Sequence, residues 1–466
     1  MPGESTPNLT CYRPRKPKQS PLWQILADHF DNFEQSYESC NIKKYGFYRP
    51  VISWVVRKYL ECGDLHKGFA RVRCPECHHE YLLAFSCRGR WFCPSCHAKK
   101  VTQFGVHLQE NVLYPVPHRQ YVFSIPKILR VFFKYNRKLL GKLSQCAHKS
   151  LVAFFRGVLG KKKGIAGSIL AIQTFGDYCR WHPHVHAIVA DGLFMDSGYF
   201  YVMPKNTEIR VLAEIFRASV LQLLRKEDLI DDEFIRMILR WRHTSGFSVH
   251  NQVRIAPSDS KGREALAQYI IRNPFSLRKL QYQQQTGQVI YRSKMSHGAN
   301  KRNFEIFDAL DFIAAITQHI PEPSFQLVRY YGWYSNRMRG DRKKCEQKQA
   351  QPRAPSSIEV IDISEYRPRK MPSPLWRECI KKIWEVDPLP CPRCQTEMKI
   401  ISFIVQEDVI KKILVHLERW EEFTRRRPPP IQHQVKKAPA ARPRQLEPVD
   451  DGWPDYEEPW VDIHSL

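Results

Sequence analysis

Residues 22–62 repeat their apolar positions at helical spacing, through Leu22, Ile25, Leu26 and Phe30 and again through Val51, Val55, Val56 and Leu60. The chain is therefore expected to open on a small helical lead-in. A further helix is expected at 99–114. The run 120–125 then has the apolar and aromatic content of a strand, and a basic amphipathic helix carrying Arg130, Lys134, Arg137 and Lys138 follows over about 127–158. Residues 168–175 alternate Ile169, Ala171 and Gln173, and the apolar stretch from Val185 to Ala190 ends in Asp191-Gly192. Two strands joined by so short a loop predict an antiparallel hairpin in the middle of a sheet. Beyond it the pattern predicts two helices within 207–241, a strand at 247–255 and a helix at about 261–272, entered through Pro257-Ser258-Asp259-Ser260. A strand at 288–292 after Thr286-Gly287 and a helix at 307–320, stopped by Pro321 and Pro323, complete the ordered part.

This order predicts an α+β fold, with helices flanking a central antiparallel sheet. The expected divisions are a disordered basic tail at 1–20, a helical lead-in with a zinc-binding domain at 21–114, and the sheet domain with an aromatic and basic segment at 115–340. A linker at 341–372, a small zinc-ribbon-like C-terminal unit at 373–424 and a disordered tail at 425–466 follow.

Charge changes the picture most. A formal net charge of +26 with 12% aromatic residues points to a polyanionic partner, most simply DNA, with rings available to stack on bases. No run of 18 apolar residues crosses a membrane, and the first residues lack the apolar segment of a secretion signal, so the expectation is a soluble cytoplasmic protein without a membrane partner. A homo-oligomer is compatible with the sequence and not specified by it.

Cysteine spacing supplies the first chemistry. Cys74-Pro75-Glu76-Cys77 and Cys93-Pro94-Ser95-Cys96 stand fifteen residues apart, a spacing suited to one structural Zn²⁺ held by Cys74, Cys77, Cys93 and Cys96. Cys87, His78, His79 and His97 are near enough to replace one of them, and Cys62 and His66 are further candidates. Cys391-Pro392-Arg393-Cys394 is a single knuckle, half of a zinc ribbon.

On a strand, side chains two apart share a face, so His184 and His186 offer two imidazoles on one stiff support, suited to a divalent ion such as Mg²⁺ or Mn²⁺. A pair of packing histidines is the plainer alternative. With a metal there, a tyrosine nucleophile suits strand transfer, because a phosphotyrosine ester conserves the bond energy for reversal by a 3′-hydroxyl. Tyr269, on the helix after the 247–255 strand, is best placed; Tyr178, Tyr199, Tyr201 and Tyr291 fall on expected turns or strands. Asn273, one helical turn after Tyr269, Gln173 on the neighbouring strand, and His182 are rival third ligands. The stretch Arg329, Tyr330, Tyr331, Trp333, Tyr334, Arg337 combines rings and guanidinium groups for DNA, or else fills a core.

From about Gly63 to about Phe403 the chain resembles the HUH rolling-circle transposases of bacterial insertion sequences, in the branch with an N-terminal zinc-binding domain. The resemblance is carried by Phe92-Cys93-Pro94-Ser95-Cys96, by Gln173-Thr174-Phe175-Gly176-Asp177 leading to His182-Pro183-His184-Val185-His186, by Tyr269 before Arg272-Asn273-Pro274, and by Arg329-Tyr330-Tyr331-Gly332-Trp333-Tyr334-Ser335-Asn336. It implies an HUH endonuclease-like sheet and a metal-dependent nickase and strand transferase. That enzyme would act on single-stranded element ends through a covalent 5′-phosphotyrosine. His184 and His186 would be metal ligands and Tyr269 the nucleophile. Many members carry two tyrosines spaced Tyr-x-x-x-Tyr; here Ala265 and Asn273 occupy the positions four before and four after Tyr269, which makes this a single-tyrosine variant. A rolling-circle replication initiator or relaxase, and a non-catalytic zinc-dependent DNA-binding protein, are the alternatives.

Overall fold

The computed structural model describes residues 16–89, 91–205, 207–241, 246–293, 303–349, 377 and 387–420. The expected basic tail up to residue 15, most of the expected linker, the start of the C-terminal unit and the tail from 425 lie outside these residues. The lead-in is helical, as α1 (Pro21–Cys40), α2 (Ile42–Tyr45) and α3 (Pro50–Leu60). Ser20 caps α1 by accepting from the Trp23 amide. Strands β1 (Phe69–Arg73) and β2 (Glu80–Ala84) make a hairpin, and α4 (Pro94–Asn111) leads to β3 (His118–Ser124). Where one helix was expected over 127–158 there are two, α5 (Arg130–Tyr135) and α6 (Lys138–Val158), because Asn136 leaves the helical region at φ −115°, ψ 85°.

The predicted hairpin forms from β4 (Gly167–Phe175) and β5 (Trp181–Ala190), which runs straight through Pro183. Then come β6 (Gly192–Phe194), β7 (Phe200–Val202), α7 (Ile209–Lys226) and α8 (Asp232–Leu239). The expected 247–255 strand divides into β8 (Ser248–His250) and β9 (Arg254–Ile255). Asp259 caps α9 (Ser260–Ile270), accepting from the Gly262 amide. Strands β10 (Leu280–Gln283), β11 (Gln288–Arg292) and β12 (Phe304–Asp308), then α10 (Ala309–Thr317), β13 (Val328–Gly332) and α11 (Asn336–Gln349), follow. The chain closes with β14 (Lys399–Ile404) and α12 (Glu407–His416).

The fold is α+β. Its central sheet has the order β13-β4-β5-β3-β8, with β9 also on β3, and the pairings are antiparallel. Strand periodicity sorts its two faces. Phe123, Leu170, Ile172, Val185, Ala187 and Val189 pack with α6 and α7 in one core. Ile169, Ala171, Ile188 and Ala190 pack with α4 and α9 in the other. A further core joins α1 and α3 to α10 and the β10-β11-β12 sheet.

The C-terminal unit is not the separate piece expected at 373–424. β14 adds to β1 in a β14-β1-β2 sheet, with Arg73 opposite Lys399 and Phe69 opposite Ile404. Phe69 and Leu82 share a small core with Ile410 and Leu414 of α12.

Candidate active site

The face of the sheet that meets α9 carries more than apolar residues. His184 and His186 alternate with the buried Val185 and Ala187, and their Nε2 atoms face each other at 3.0 Å. His184 Nδ1 donates to the backbone carbonyl of His182 at 2.7 Å, which fixes its tautomer and leaves the Nε2 lone pair toward His186. Gln120, on the next strand, meets His186 Nδ1 at 3.2 Å through its amide. An amide can present either its N–H or its oxygen, so Gln120 supports both neutral tautomers of His186. Burial, the neighbouring His184 and Arg272 push the His186 pKa well below its ordinary value, so the ring is held neutral, as metal ligation requires.

Tyr269 sits on the same face. Its side chain is 2% exposed, and its ring stands edge-on to His186 with centroids 5.5 Å apart. The Arg272 guanidinium lies 4.8 Å from the Tyr269 ring centre and 5.6 Å from that of Phe175. The three rival ligands are placed differently. Gln173 is the register partner of His184; its Nε2 donates to the Ile270 carbonyl at 2.9 Å, and its buried Oε1 has no protein partner. The His182 ring lies 5.0 Å from that of His184, tilted by 47°, and its Nε2 is buried without a partner. The helix stops at Ile270, so Asn273 lies beyond it and not one turn along it as expected, with both amide atoms buried and unpartnered. Among the described His, Cys, Asp and Glu residues, no third group closes with His184 and His186 into a metal-sized cluster.

The four cysteines expected in one zinc site are instead shared between two clusters. Cys93 and Cys96 join Cys62 and Cys87, while Cys74 and Cys77 join Cys391 and Cys394. Cys74 and Cys77 end up in the β1–β2 turn and Cys93 and Cys96 at the N-terminus of α4, so the chain that separates the two pairs also holds them apart. In the first cluster the Cys62 sulfur is 3.9 Å from Cys93 and 3.8 Å from Cys96, and Cys87 is 3.6 Å from Cys96. Tetrahedral Zn–S bonds of about 2.3 Å require edges of about 3.8 Å. One residue beyond Cys96, His97 ties this cluster to the tyrosine helix. Its Nδ1 accepts from the Trp91 amide at 3.1 Å, so its Nε2 donates to the Ile271 carbonyl.

The aromatic segment is largely structural. Tyr334 is fully buried, bonds His118 Nε2 at 2.8 Å and cannot present a face to a base. Tyr331 bonds Ser144 at 2.7 Å and stacks on His148. Trp333 stacks on Phe194 with centroids 4.6 Å apart and lies under Arg342. Arg329 and Tyr330 are partly buried on β13, and Arg337 is exposed at the start of α11.

Two regions of the chain match known protein families. Residues 25–125 match a family described as "Transposase zinc-binding domain", and residues 167–342 match one described as "Putative transposase". The transposase for insertion sequence element IS801 of Pseudomonas savastanoi pv. phaseolicola is 26% identical over 370 residues, covering 76% of this chain and 84% of that protein. "Putative transposase y4qJ" of Sinorhizobium fredii is 25% identical over 368 residues, 74% of this chain and 88% of that protein. No solved structure matches. The sheet with its paired imidazoles and the Cys62-Cys87-Cys93-Cys96 cluster thus fall within regions matched to transposase families, and DNA is the substrate of that class. The chain is therefore similar, over both of these regions, to transposases of insertion sequences. Among the described residues, no helix is long and apolar enough to cross a membrane.

Proposed function

We propose that this transposase is an HUH-type, rolling-circle enzyme that nicks and joins single-stranded DNA at element ends, with Tyr269 as its single nucleophile and a divalent cation on His184 and His186. The observation that carries the reading is the facing pair of Nε2 atoms at 3.0 Å, with Tyr269 edge-on to one of them. The imidazoles of His184 and His186, turned toward each other, are the groups that would hold the divalent cation, with the His186 ring held neutral as ligation requires. When bound, such a cation would polarise the scissile phosphate and offset the charge on its oxygens.

The residues of the chain do the rest. The His182 carbonyl holds the His184 proton on Nδ1, and Gln120 does the same for His186 when its oxygen is turned to Nδ1, so both Nε2 lone pairs are available together. Asn273 is our assignment for the third ligand, because both of its buried amide atoms lack a protein partner while Gln173 is already anchored through Nε2 to Ile270. Tyr269 Oη attacks phosphorus, the bond to the 3′ oxygen breaks, and the phenolic proton is matched by one taken up at the departing 3′-hydroxyl. The 5′-phosphate stays on the tyrosine until another 3′-hydroxyl reverses the step. Arg272, beside the ring, is placed to meet phosphate charge. With one tyrosine, the two cleavages of a transposition cycle use Tyr269 in turn or on two copies of the chain.

The test is a denaturing gel of the protein incubated with labelled single strands from either side of its coding sequence and Mn²⁺ or Mg²⁺. A shifted covalent species that Tyr269→Phe removes is expected. Binding without any adduct on either strand would favour a non-catalytic DNA-binding role.

A further inference from the structure

The second cysteine cluster lies partly outside the matched zinc-binding region, and its two halves come from opposite ends of the described chain. Cys74 faces Cys394 and Cys77 faces Cys391, each at 3.4 Å between sulfurs, across 320 and 314 positions of sequence. All four sulfurs lie within 4.8 Å of one another. The separations exceed a disulfide bond of about 2.05 Å and approach the tetrahedral thiolate edge of about 3.8 Å.

The two halves are built alike. Each reads Cys-Pro-x-Cys, and each turns through a non-glycine residue of positive φ four positions after its first cysteine, His78 at 56° and Gln395 at 63°. In each, the amide of the first cysteine donates to a carbonyl five residues on, Cys74 to His79 at 2.8 Å and Cys391 to Thr396 at 2.9 Å. A left-handed non-glycine residue costs about 1–2 kcal/mol, so the same strained turn made twice, with its thiols converging on one point, has the character of a pair of metal knuckles. The surroundings fix the pair in place. Cys74 and Cys391 are buried with Val72 and Met398, Tyr81 donates to the Pro388 carbonyl at 2.9 Å, and β14 leaves the second knuckle to pair with β1, which enters the first.

The geometry points to a second structural zinc site, Cys74-Cys77-Cys391-Cys394, that joins the C-terminal segment to the N-terminal hairpin and completes one bipartite zinc domain. A closed set of four thiolates suits Zn²⁺ and leaves no position for substrate, so the site clamps and does not catalyse. The inference is independent of the nickase reading, since its readout is metal and thiol accessibility.

The experiment maps maleimide labelling of the intact, zinc-loaded chain by mass spectrometry and counts thiolate-bound zinc. Two such zincs per chain are expected, with Cys74, Cys77, Cys391 and Cys394 protected together and exposed together on chelation. In the Cys391→Ser, Cys394→Ser double variant the count should halve from two to one, Cys74 and Cys77 should become reactive, and Cys62, Cys87, Cys93 and Cys96 should stay protected. The inference is overturned if the double variant keeps two zincs, or if Cys391 and Cys394 of the unaltered protein label while Cys74 and Cys77 remain protected. The second comparison needs no variant and stands even where the substitutions impair folding.

Discussion

The Nε2 of His97 donates across 2.5 Å to the backbone carbonyl of Ile271, two residues beyond Tyr269, with both groups buried. His97 follows Cys96 on α4, and α4 packs along α9, so the first cysteine cluster and the proposed nucleophile Tyr269 share one mechanical support. Removing the imidazole leaves a buried carbonyl unpaired, at a cost of about 1–3 kcal/mol. A small displacement of a reacting group can cost on the order of 100-fold in rate. His97→Ala should therefore slow adduct formation at saturating DNA by about 10-fold or more, while single-strand affinity stays within about 2-fold because phosphate contacts supply it. His97→Gln, which can still donate, should recover part of the rate. Equal losses of binding and rate in both variants would leave His97 a purely structural residue.

Gln120 holds His186 from behind, and partners of this kind typically matter 10–100-fold in metal affinity. Gln120→Leu should raise the Mn²⁺ concentration needed for half-maximal adduct formation by about that factor and regain most of the rate at high Mn²⁺. His186→Ala should abolish cleavage at any Mn²⁺ concentration. An unchanged Mn²⁺ requirement in Gln120→Leu would remove Gln120 from the site.

The proposed third ligand is separable in the same titration. Asn273→Ala should raise the metal requirement more than Gln173→Ala or His182→Ala. The reverse order would transfer the assignment to Gln173 or His182.

These residues show how far the sequence reaches. Period-two alternation puts His184 and His186 on one face of a strand, because a strand's side-chain period is set by the backbone alone; that Gln173 stands opposite His184 is set by the register between the strands, which the alternation does not give. The cysteine pairing was not legible. A fifteen-residue gap satisfies a local zinc motif, and nothing along the chain signals that Cys74 and Cys77 bind partners more than three hundred positions away. The place of Asn273 depended on where α9 ends. For Tyr334 the sequence leaves base stacking and core packing both open, because composition carries no information about burial, which a sheet edge and His118 decide.

Tyr334 and Arg337 accordingly separate by measurement. Tyr334→Phe should lower stability by about 1–3 kcal/mol, by leaving His118 Nε2 without its partner, and leave DNA affinity unchanged. Arg337→Ala should leave stability within about 0.5 kcal/mol and, if its guanidinium meets a phosphate, reduce the salt dependence of binding by about one unit of slope.

Acid should destabilise the fold through its buried neutral histidines. Burial lowers the pKa of His118 to about 4 and of His319 to about 3, from 6.5. Below pH 6.5 the unfolded chain takes up protons that the folded chain refuses. This contribution is complete above that pH and is lost as the pH falls through about 4 and then about 3. Each ring contributes at most about 1.4 kcal/mol per pH unit. Urea midpoints between pH 7.5 and 4.5 should fall less steeply in His118→Asn than in the unaltered protein, and parallel curves would show that His118 does not contribute.

The central claim is that Tyr269 itself carries the DNA. After reaction with single-stranded end DNA and Mn²⁺, then nuclease and trypsin digestion, the peptide 264–272 should bear a nucleotide on Tyr269, and His186→Ala should yield only the free peptide. A nucleotide on any other tyrosine, or an undiminished adduct in His186→Ala, would contradict the account.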